Sequence, residues 1–206
     1  MDIKHFTTSG KFRLEGKEWD VDNNVYIVGD DTGVFIVDPA HDPQAVIDAV
    51  GNRPVEGILL SHAHNDHCEI APQLAAHYDT AIYLHPDDKQ LWEETNGDAE
   101  FTELEDRQRI LLAGEPIQVL HTPGHSPGCV VFYLPSEDTL LSGDTLFSGG
   151  PGATGRKYSD FDTIIQSLQN VVFKLPEDTK VLPGHGDSTT VGAEAARIDE
   201  YIERGY

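Results

Sequence analysis

Four side chains within one short loop carry the chemistry that stands out. They are His62, His64, Asp66 and His67, in the run Ser61-His62-Ala63-His64-Asn65-Asp66-His67. His62 and His64 are two residues apart, so on an extended stub both imidazoles point the same way. Asp66 and His67 follow as the chain turns, which aims them at a neighbouring point. Neutral imidazole and carboxylate bind zinc at about 2.0–2.2 Å. Four such groups exceed what a short loop easily gives to one tetrahedral ion, so a pair of sites fits better. The plain alternative is a polar loop of hydrogen-bonded core histidines.

Three later segments add to this loop. In Thr122-Pro123-Gly124-His125-Ser126-Pro127-Gly128, prolines and glycines pin a tight loop around His125. Thr122 and Ser126 can orient that ring. In Leu141-Ser142-Gly143-Asp144-Thr145, a lone carboxylate follows an apolar strand, where it can bridge two cations. Taken alone, Asp144 has the simpler reading of a helix or turn cap. In Leu182-Pro183-Gly184-His185-Gly186-Asp187, another histidine is fixed by Pro and Gly. Singly each is weak; together they complete two ligand sets.

The elements that must hold these loops are legible in outline. Residues 25–28 and 34–38 are β-branched and aromatic and read as a hairpin around Gly29 to Gly33. Pro43 opens a helix over 43–50. Residues 55–60 read as a buried strand running into the histidine cluster, followed by a helix over 70–78 and a strand over 81–84. The acidic segment 86–115 is read as helix. Strands follow at 116–121, 129–134 and 139–143. A helix near 160–174, a strand at 180–182 and a helix at 192–204 end the chain. Each chemical cluster comes just after a strand, where layered α/β folds carry their functional groups.

Composition narrows the function. The 206 residues are read as one domain spanning 1–206, 38% hydrophobic and 24% charged. Thirty-six acidic against 14 basic residues give a formal charge of -22. No basic stripe exists for a nucleic-acid backbone, so DNA and RNA are excluded as partners. Apolar runs are strand-sized, and the N-terminus lacks a signal-peptide core, so no membrane association and a cytoplasmic location are expected. Cys68 and Cys129 are too few for a disulfide framework. Cys68 reads as a small core residue. His5, His41, His77 and His85 read as surface or supporting groups, and His121 as packing near the site.

With these motifs in this order, the chain resembles the metallo-β-lactamase-fold hydrolases, in their small glyoxalase II-like branch. The likeness runs from about residue 24 to 190. It implies a four-layer αβ/βα sandwich of the α/β class, with two divalent metal ions at one edge. It places His62, His64 and His125 on the first ion and Asp66, His67 and His185 on the second, with Asp144 bridging. Asp38, in Val37-Asp38-Pro39, matches an early Asp motif that buttresses the ligands through hydrogen bonds. On residues alone, Asp38 reads equally as a turn Asp before proline.

The activity so implied is hydrolysis of a small thioester, an S-acyl derivative of a low-molecular-weight thiol, by a metal-activated hydroxide. Asp66 and Asp144 carry the catalytic roles. Zinc suits the ligands, with iron or manganese as alternatives. Two departures argue against glutathione as the specific carrier. Cys68-Glu69 replace the usual small pair after the motif, and about twenty residues follow His185, where that branch carries a long helical extension. Substrate contact is expected in the segment after Asp144, from Arg156, Lys157 and Tyr158; an exposed Gly-rich loop is the alternative. Rival readings are a persulfide dioxygenase with one iron and a lactonase. The oligomeric state is not legible.

Overall fold

The structure, a computed structural model, describes residues 1–205. The chain opens with a long antiparallel pair, β1 (Asp2–Leu14) and β2 (Lys17–Gly29). Its two-residue turn has Glu15 at φ 50° and Gly16 at φ 74°. Two positive φ values in succession match the right-handed twist of the strands. Next come β3 (Val34–Val37), α1 (Pro43–Val50) and β4 (Val55–Leu59). A short helix α2 (Asn65–Cys68) and α3 (Ala71–Tyr78) lead to β5 (Ile82–Leu84), a 3-10 turn at Pro86–Asp88, α4 (Lys89–Asn96) and β6 (Thr102–Glu103). These six strands form one sheet in the order β1-β2-β3-β4-β5-β6.

The second half repeats the plan. β7 (Arg109–Leu112), β8 (Glu115–His121), β9 (Val130–Leu134) and β10 (Thr139–Gly143) are joined by a small hairpin of β11 (Leu146–Phe147) and β12 (Gly150–Pro151) to α5 (Phe161–Asn170). Then come β13 (Lys180–Pro183), β14 (Thr189–Thr190), α6 (Val191–Ala195) and α7 (Ile198–Arg204). The second sheet runs β14-β13-β10-β9-β8-β7.

Alternation along the strands builds four layers. On β2, Tyr26 and Val28 face the second sheet, where they pack with Phe132, Leu134 and Leu141. Val25 and Ile27 point the other way, toward Val46, Val50, Leu74 and Trp92 of the first helical layer. On β9 the same rule sends Val131 and Tyr133 outward, against Leu168 and Val172. Helices, sheet, sheet and helices therefore stack in that order, the expected αβ/βα sandwich. Among the described residues no helix is long and apolar enough to cross a membrane.

Three expectations need correction. The segment 86–115 is helical only through Asn96; Gly97, at φ 62°, ends α4, and the rest supplies β6 and the β7–β8 hairpin. That hairpin turns on Ala113 and Gly114, both at positive φ, a two-residue loop that charge composition hides. The helix near 160–174 stops at Asn170, with a 3-10 turn at Val172–Lys174, and that over 192–204 divides into α6 and α7. The largest element with no counterpart in the sequence reading is the β1–β2 hairpin.

Candidate metal centre

The loops that follow β3, β4, β8, β10 and β13 all open at one end of the sandwich, and each brings one part of the site. β4 ends at Leu59 and releases Ser61 to His67, with Asp66 and His67 carried on α2. His125 comes after β8, Asp144 directly after β10 and His185 after β13. β10 and β13 pair in parallel, which sets Gly143 beside Pro183 and so brings Asp144 to His185.

The structure gathers all seven expected ligands. His62 Nε2 and His125 Nε2 each lie 3.0 Å from His64 Nδ1. His67 Nε2 and His185 Nε2 are 3.3 Å apart, and His185 Nε2 is 3.3 Å from Asp66 Oδ2. Asp144 stands between the two sets. Its Oδ2 is 3.5 Å from both His125 Nε2 and His185 Nε2, and its Oδ1 is 3.4 Å from His67 Nε2.

The donor set fits metal on three grounds. First, the outer nitrogens of four rings are already committed. His62 Nδ1 meets Ser61 Oγ at 3.0 Å, and His67 Nδ1 meets Asp38 Oδ2 at 3.2 Å. His125 Nδ1 meets the Ala153 carbonyl at 2.8 Å, and His185 Nδ1 the Asp22 carbonyl at 2.7 Å. Carbonyl and carboxylate only accept, and the Ser61 hydroxyl gives its own proton to Asp38, so these Nδ1 atoms donate, and in each ring's neutral form the Nε2 lone pair faces inward. Second, a tetrahedron with metal–nitrogen bonds of about 2.0–2.1 Å has edges of about 3.3–3.4 Å, close to the separations seen. Third, among the described residues Asp66 Oδ1 is buried with no hydrogen-bond partner, and Asp144 Oδ1 has only the His67 ring, at 3.4 Å. Buried acceptors without donors are costly, and a cation satisfies them.

Charge is distributed unequally over the cluster. Burial holds His62 and His125 below the ordinary imidazole value and pushes His64 down to about 3. Burial opposes charge on His67 and His185 too, but Asp144 and Asp66 outweigh it. His67 is raised well above the ordinary value, and His185 to about 10. In turn His67 and His185 overcome burial at Asp144, and at Asp66, which is held down to about 2. One half of the centre is thus neutral and the other a compact ion network.

Asp38 supports the ligands from behind. It follows β3 at φ 47°, a strained setting for a residue with a Cβ. Its Oδ1 accepts from Ser61 N at 2.7 Å and its Oδ2 from Ser61 Oγ at 2.6 Å. Both oxygens are therefore committed, which makes Asp38 a buttress although it lies near His62 and His67.

Several supporting residues escaped the sequence reading. Asn23 Nδ2 donates to Asp66 O at 3.0 Å and Oδ2 at 3.1 Å, and its Oδ1 is held by His41 Nε2 at 2.8 Å. Asn24 Nδ2 and Tyr26 Oη donate to the Pro183 carbonyl, next to the His185 loop. Asn65 ties the ligand loop to β1, accepting from Arg13 N at 2.7 Å and donating to Lys11 O at 2.8 Å. Asp88 bonds the loops around Ala63 and Ser126. The one signal was the polar pair Asn23-Asn24 in an otherwise strand-like stretch. Gly184 is required by close approach: a Cβ there would lie 2.4 Å from Asp144 Oδ1 and 2.6 Å from His67 Cε1.

A cleft of about 450 Å³ opens over the ligands, lined by His64, Asp66, His125, Asp144 and His185 together with Phe12, Trp19, Val21, Phe147 and Arg156. A larger cleft of about 600 Å³ touches His64 alone of the ligand set, so the smaller one faces the chemistry. Phe12 and Trp19 stack on each other across the β1–β2 pair, and the Arg156 guanidinium lies 5.1 and 5.2 Å from their ring centroids. Arg156 thus enters the cleft. Lys157 Nζ and Tyr158 Oη instead both meet Glu94 Oε1 at 2.8 Å. Cys68 and Cys129 are free and buried, and burial pushes both thiols well above their ordinary value.

Comparison with known proteins agrees with this geometry. The family model of the metallo-beta-lactamase superfamily matches residues 19–185. The chain is 33% identical over 187 residues to the probable metallo-hydrolase YqgX of Bacillus subtilis, covering 83% of this chain and 88% of that one. It is 29% identical over 181 residues to the hydroxyacylglutathione hydrolase GloC of Haemophilus influenzae, covering 80% and 85%. Among solved structures, TTHA1623 in a di-iron-bound form matches with a TM-score of 0.76 at 34% identity, over 85% of this chain and 93% of that chain.

Proposed function

The chain belongs to the metallo-beta-lactamase superfamily and is a metal-dependent hydrolase of it, and from that premise we propose that it cleaves small thioesters at a two-metal centre. His62, His64 and His125 would hold one divalent ion and Asp66, His67 and His185 the other, with Asp144 shared. Ions so held would supply Lewis-acid polarisation of an acyl carbonyl and an acidified water. Zinc is the metal proposed, on its preference for imidazole and carboxylate.

The protein's own groups account for the rest. No described side chain near the cleft is a credible nucleophile: both cysteines are buried, and Ser61 Oγ is spent on Asp38. Water is therefore the attacking group. Asp66 is ionised, and the carboxylate oxygen that an ion leaves unbound can hold the proton of the attacking water. Asp144 orients what lies between the two sets. Phe12, Trp19, Val21 and Phe147 give the cleft an apolar wall against which the substrate's acyl or thiol chain can pack. Arg156 binds a carboxylate on the substrate, its guanidinium planar and held against the two rings.

The observation that carries the reading is the arrangement of inward-facing ligand atoms under a cleft with one cation in its wall. A thioester suits it because a thiolate leaves without a general acid, and among the described residues lining the cleft none beyond the ligand set is placed to act as one. The name of the Haemophilus relative, a hydroxyacylglutathione hydrolase, supports the same class. The test is metal analysis with a panel of S-acyl thiols, lactones and β-lactams. Two zinc ions per chain and fastest turnover on thioesters are expected, with Asp144→Asn losing orders of magnitude in kcat. Faster lactone or β-lactam cleavage, or oxygen uptake with a persulfide and one iron, would overturn the proposal.

A further inference from the structure

Asp88 is a fully buried carboxylate outside the ligand set. It closes the 3-10 turn Pro86–Asp88 between β5 and α4, but gives α4 no capping bond. Instead its Oδ2 accepts from Ala63 N at 2.9 Å and Ser126 Oγ at 2.7 Å, and its Oδ1 from Gly128 N at 2.6 Å. These partners sit in two loops only. The Ala63 peptide lies between His62 and His64. Ser126 follows His125, and Gly128 ends the same loop. Within the loop after β4 the bond falls on the Ala63 peptide, not on Asp66 or His67, and among the described residues the loops carrying Asp144 and His185 receive none from Asp88.

Asp38 works on other atoms, the Ser61 backbone and hydroxyl and His67 Nδ1. Asp38 thus reaches His67 directly and His62 through the Ser61 hydroxyl, whereas Asp88 alone ties the His62–His64 peptide to the His125 loop. Gly128 keeps the space for Asp88 open, since a Cβ there would lie 2.6 Å from Asp88 N and 2.8 Å from its Cβ. Packing alone gives no reason for a carboxylate at this point, because an apolar side chain could fill it at less desolvation cost. What a carboxylate adds is three directed bonds between two loops. Outer hydrogen bonds of this kind tune ligand geometry and metal affinity.

We propose that Asp88 is the positioning residue of the first ligand set: it fixes the spacing of the His62–His64 loop against His125 and so sets the affinity of that half of the centre alone. The inference rests on the two-ion reading given above. Asp88→Asn keeps the shape but turns one acceptor into a donor, which faces an N–H or a hydroxyl that also donates. One zinc ion should then bind about 10–100-fold more weakly while the other is unchanged. The measurement is zinc per chain after dialysis of the zinc-loaded protein against graded chelator. Two backgrounds locate the effect. In His185→Ala, which impairs the second set, adding Asp88→Asn should weaken the remaining ion by the same factor. In His125→Ala, which impairs the first, it should change nothing.

Ser126→Ala removes one bond and leaves the carboxylate, so it should give the same selective loss in smaller measure even if Asp88→Asn fails to fold. Equal weakening of both ions, or zinc binding unchanged in both variants, overturns the inference and leaves the two-ion reading standing. A wild-type protein that binds no zinc overturns both.

Discussion

His67 Nδ1 lies 3.2 Å from Asp38 Oδ2, and the same carboxylate binds the backbone and hydroxyl of Ser61. One side chain after β3 thus fixes the first and the last residue of the ligand loop that follows β4. Asp38→Ala leaves three buried donors without an acceptor. Each loss of this kind costs about 1–3 kcal/mol, and outer-bond loss lowers metal affinity about 10–100-fold. Asp38→Ala is expected to melt lower and to lose metal to a chelator that leaves the wild type loaded. Asp38→Asn, which retains one acceptor, should fall between. Metal content and melting temperature equal to the wild type would show that the buttress is dispensable.

Gly184→Ala tests the close approach of β13 to the shared carboxylate. Its new methyl would lie 2.4 Å from Asp144 Oδ1, so Asp144 must move or the loop must yield. Overpacking of this kind costs about 1–3 kcal/mol. The metal-free protein should therefore still fold, while metal uptake and kcat fall together. Retention of both ions with wild-type turnover would mean that Asp144 has more freedom than the structure gives it.

The metal-free protein should have a stability maximum near pH 6.5, set by two opposed groups of histidines. His67 and His185 are raised in the folded state, His185 to about 10. Their contribution is complete below the unfolded value of about 6.5 and is lost as pH rises from there toward about 10. His62, His64 and His125 are lowered, His64 to about 3. They cost stability as pH falls below about 6.5, because only the unfolded chain takes up their protons. Metal replaces the protons on His67 and His185, so loading should remove the alkaline loss and release protons at neutral pH. Melting temperature against pH, with and without zinc, reads both limbs. Two superimposable alkaline limbs would refute the assignment of charge.

The site was far more legible than its support. Ligand chemistry is local: His62, His64, Asp66 and His67 share one loop, and His125, Asp144 and His185 each stand in a rigid Gly- or Pro-bounded turn after an apolar strand. Core strands such as 130–134 were legible because burial on both faces writes a continuous apolar run. The β1–β2 pair was not. Its first half is largely exposed, so it lacks that run, and Lys, Glu and Asp fill it. With that hairpin unread, Asn23, Asn24, Phe12 and Trp19 had no place near the ligands. Asp88 was hidden for a different reason. It sits in an acidic stretch where one carboxylate looks like the next, and only the return of the His125 loop distinguishes it. Among the expected substrate contacts, Arg156 reaches the cleft because Phe12 and Trp19 receive it, while Lys157 and Tyr158 are drawn to Glu94.

That division makes Arg156 the residue on which substrate charge should depend. No carboxylate among the described residues forms an ion pair with it, although acidic side chains outnumber basic ones 36 to 14 in the chain. A charge-assisted hydrogen bond contributes about 1.5–3 kcal/mol, which corresponds to roughly 10–150-fold in affinity. Arg156→Met should therefore raise KM by about that factor for S-acyl thiols bearing a carboxylate. Neutral S-acyl thiols should be little affected, and kcat should stay within about threefold for both, because the ligands are untouched. Arg156→Lys should rescue only in part, since an ammonium has no plane to lay against Phe12 and Trp19 and cannot bind a carboxylate with two parallel bonds. Lys157→Gln, which breaks the contacts with Glu94 and the Tyr158 ring outside the cleft, should leave KM for both substrates unchanged. An equal rise in KM for neutral and charged substrates in Arg156→Met would assign the guanidinium to shaping the wall, not to recognising charge.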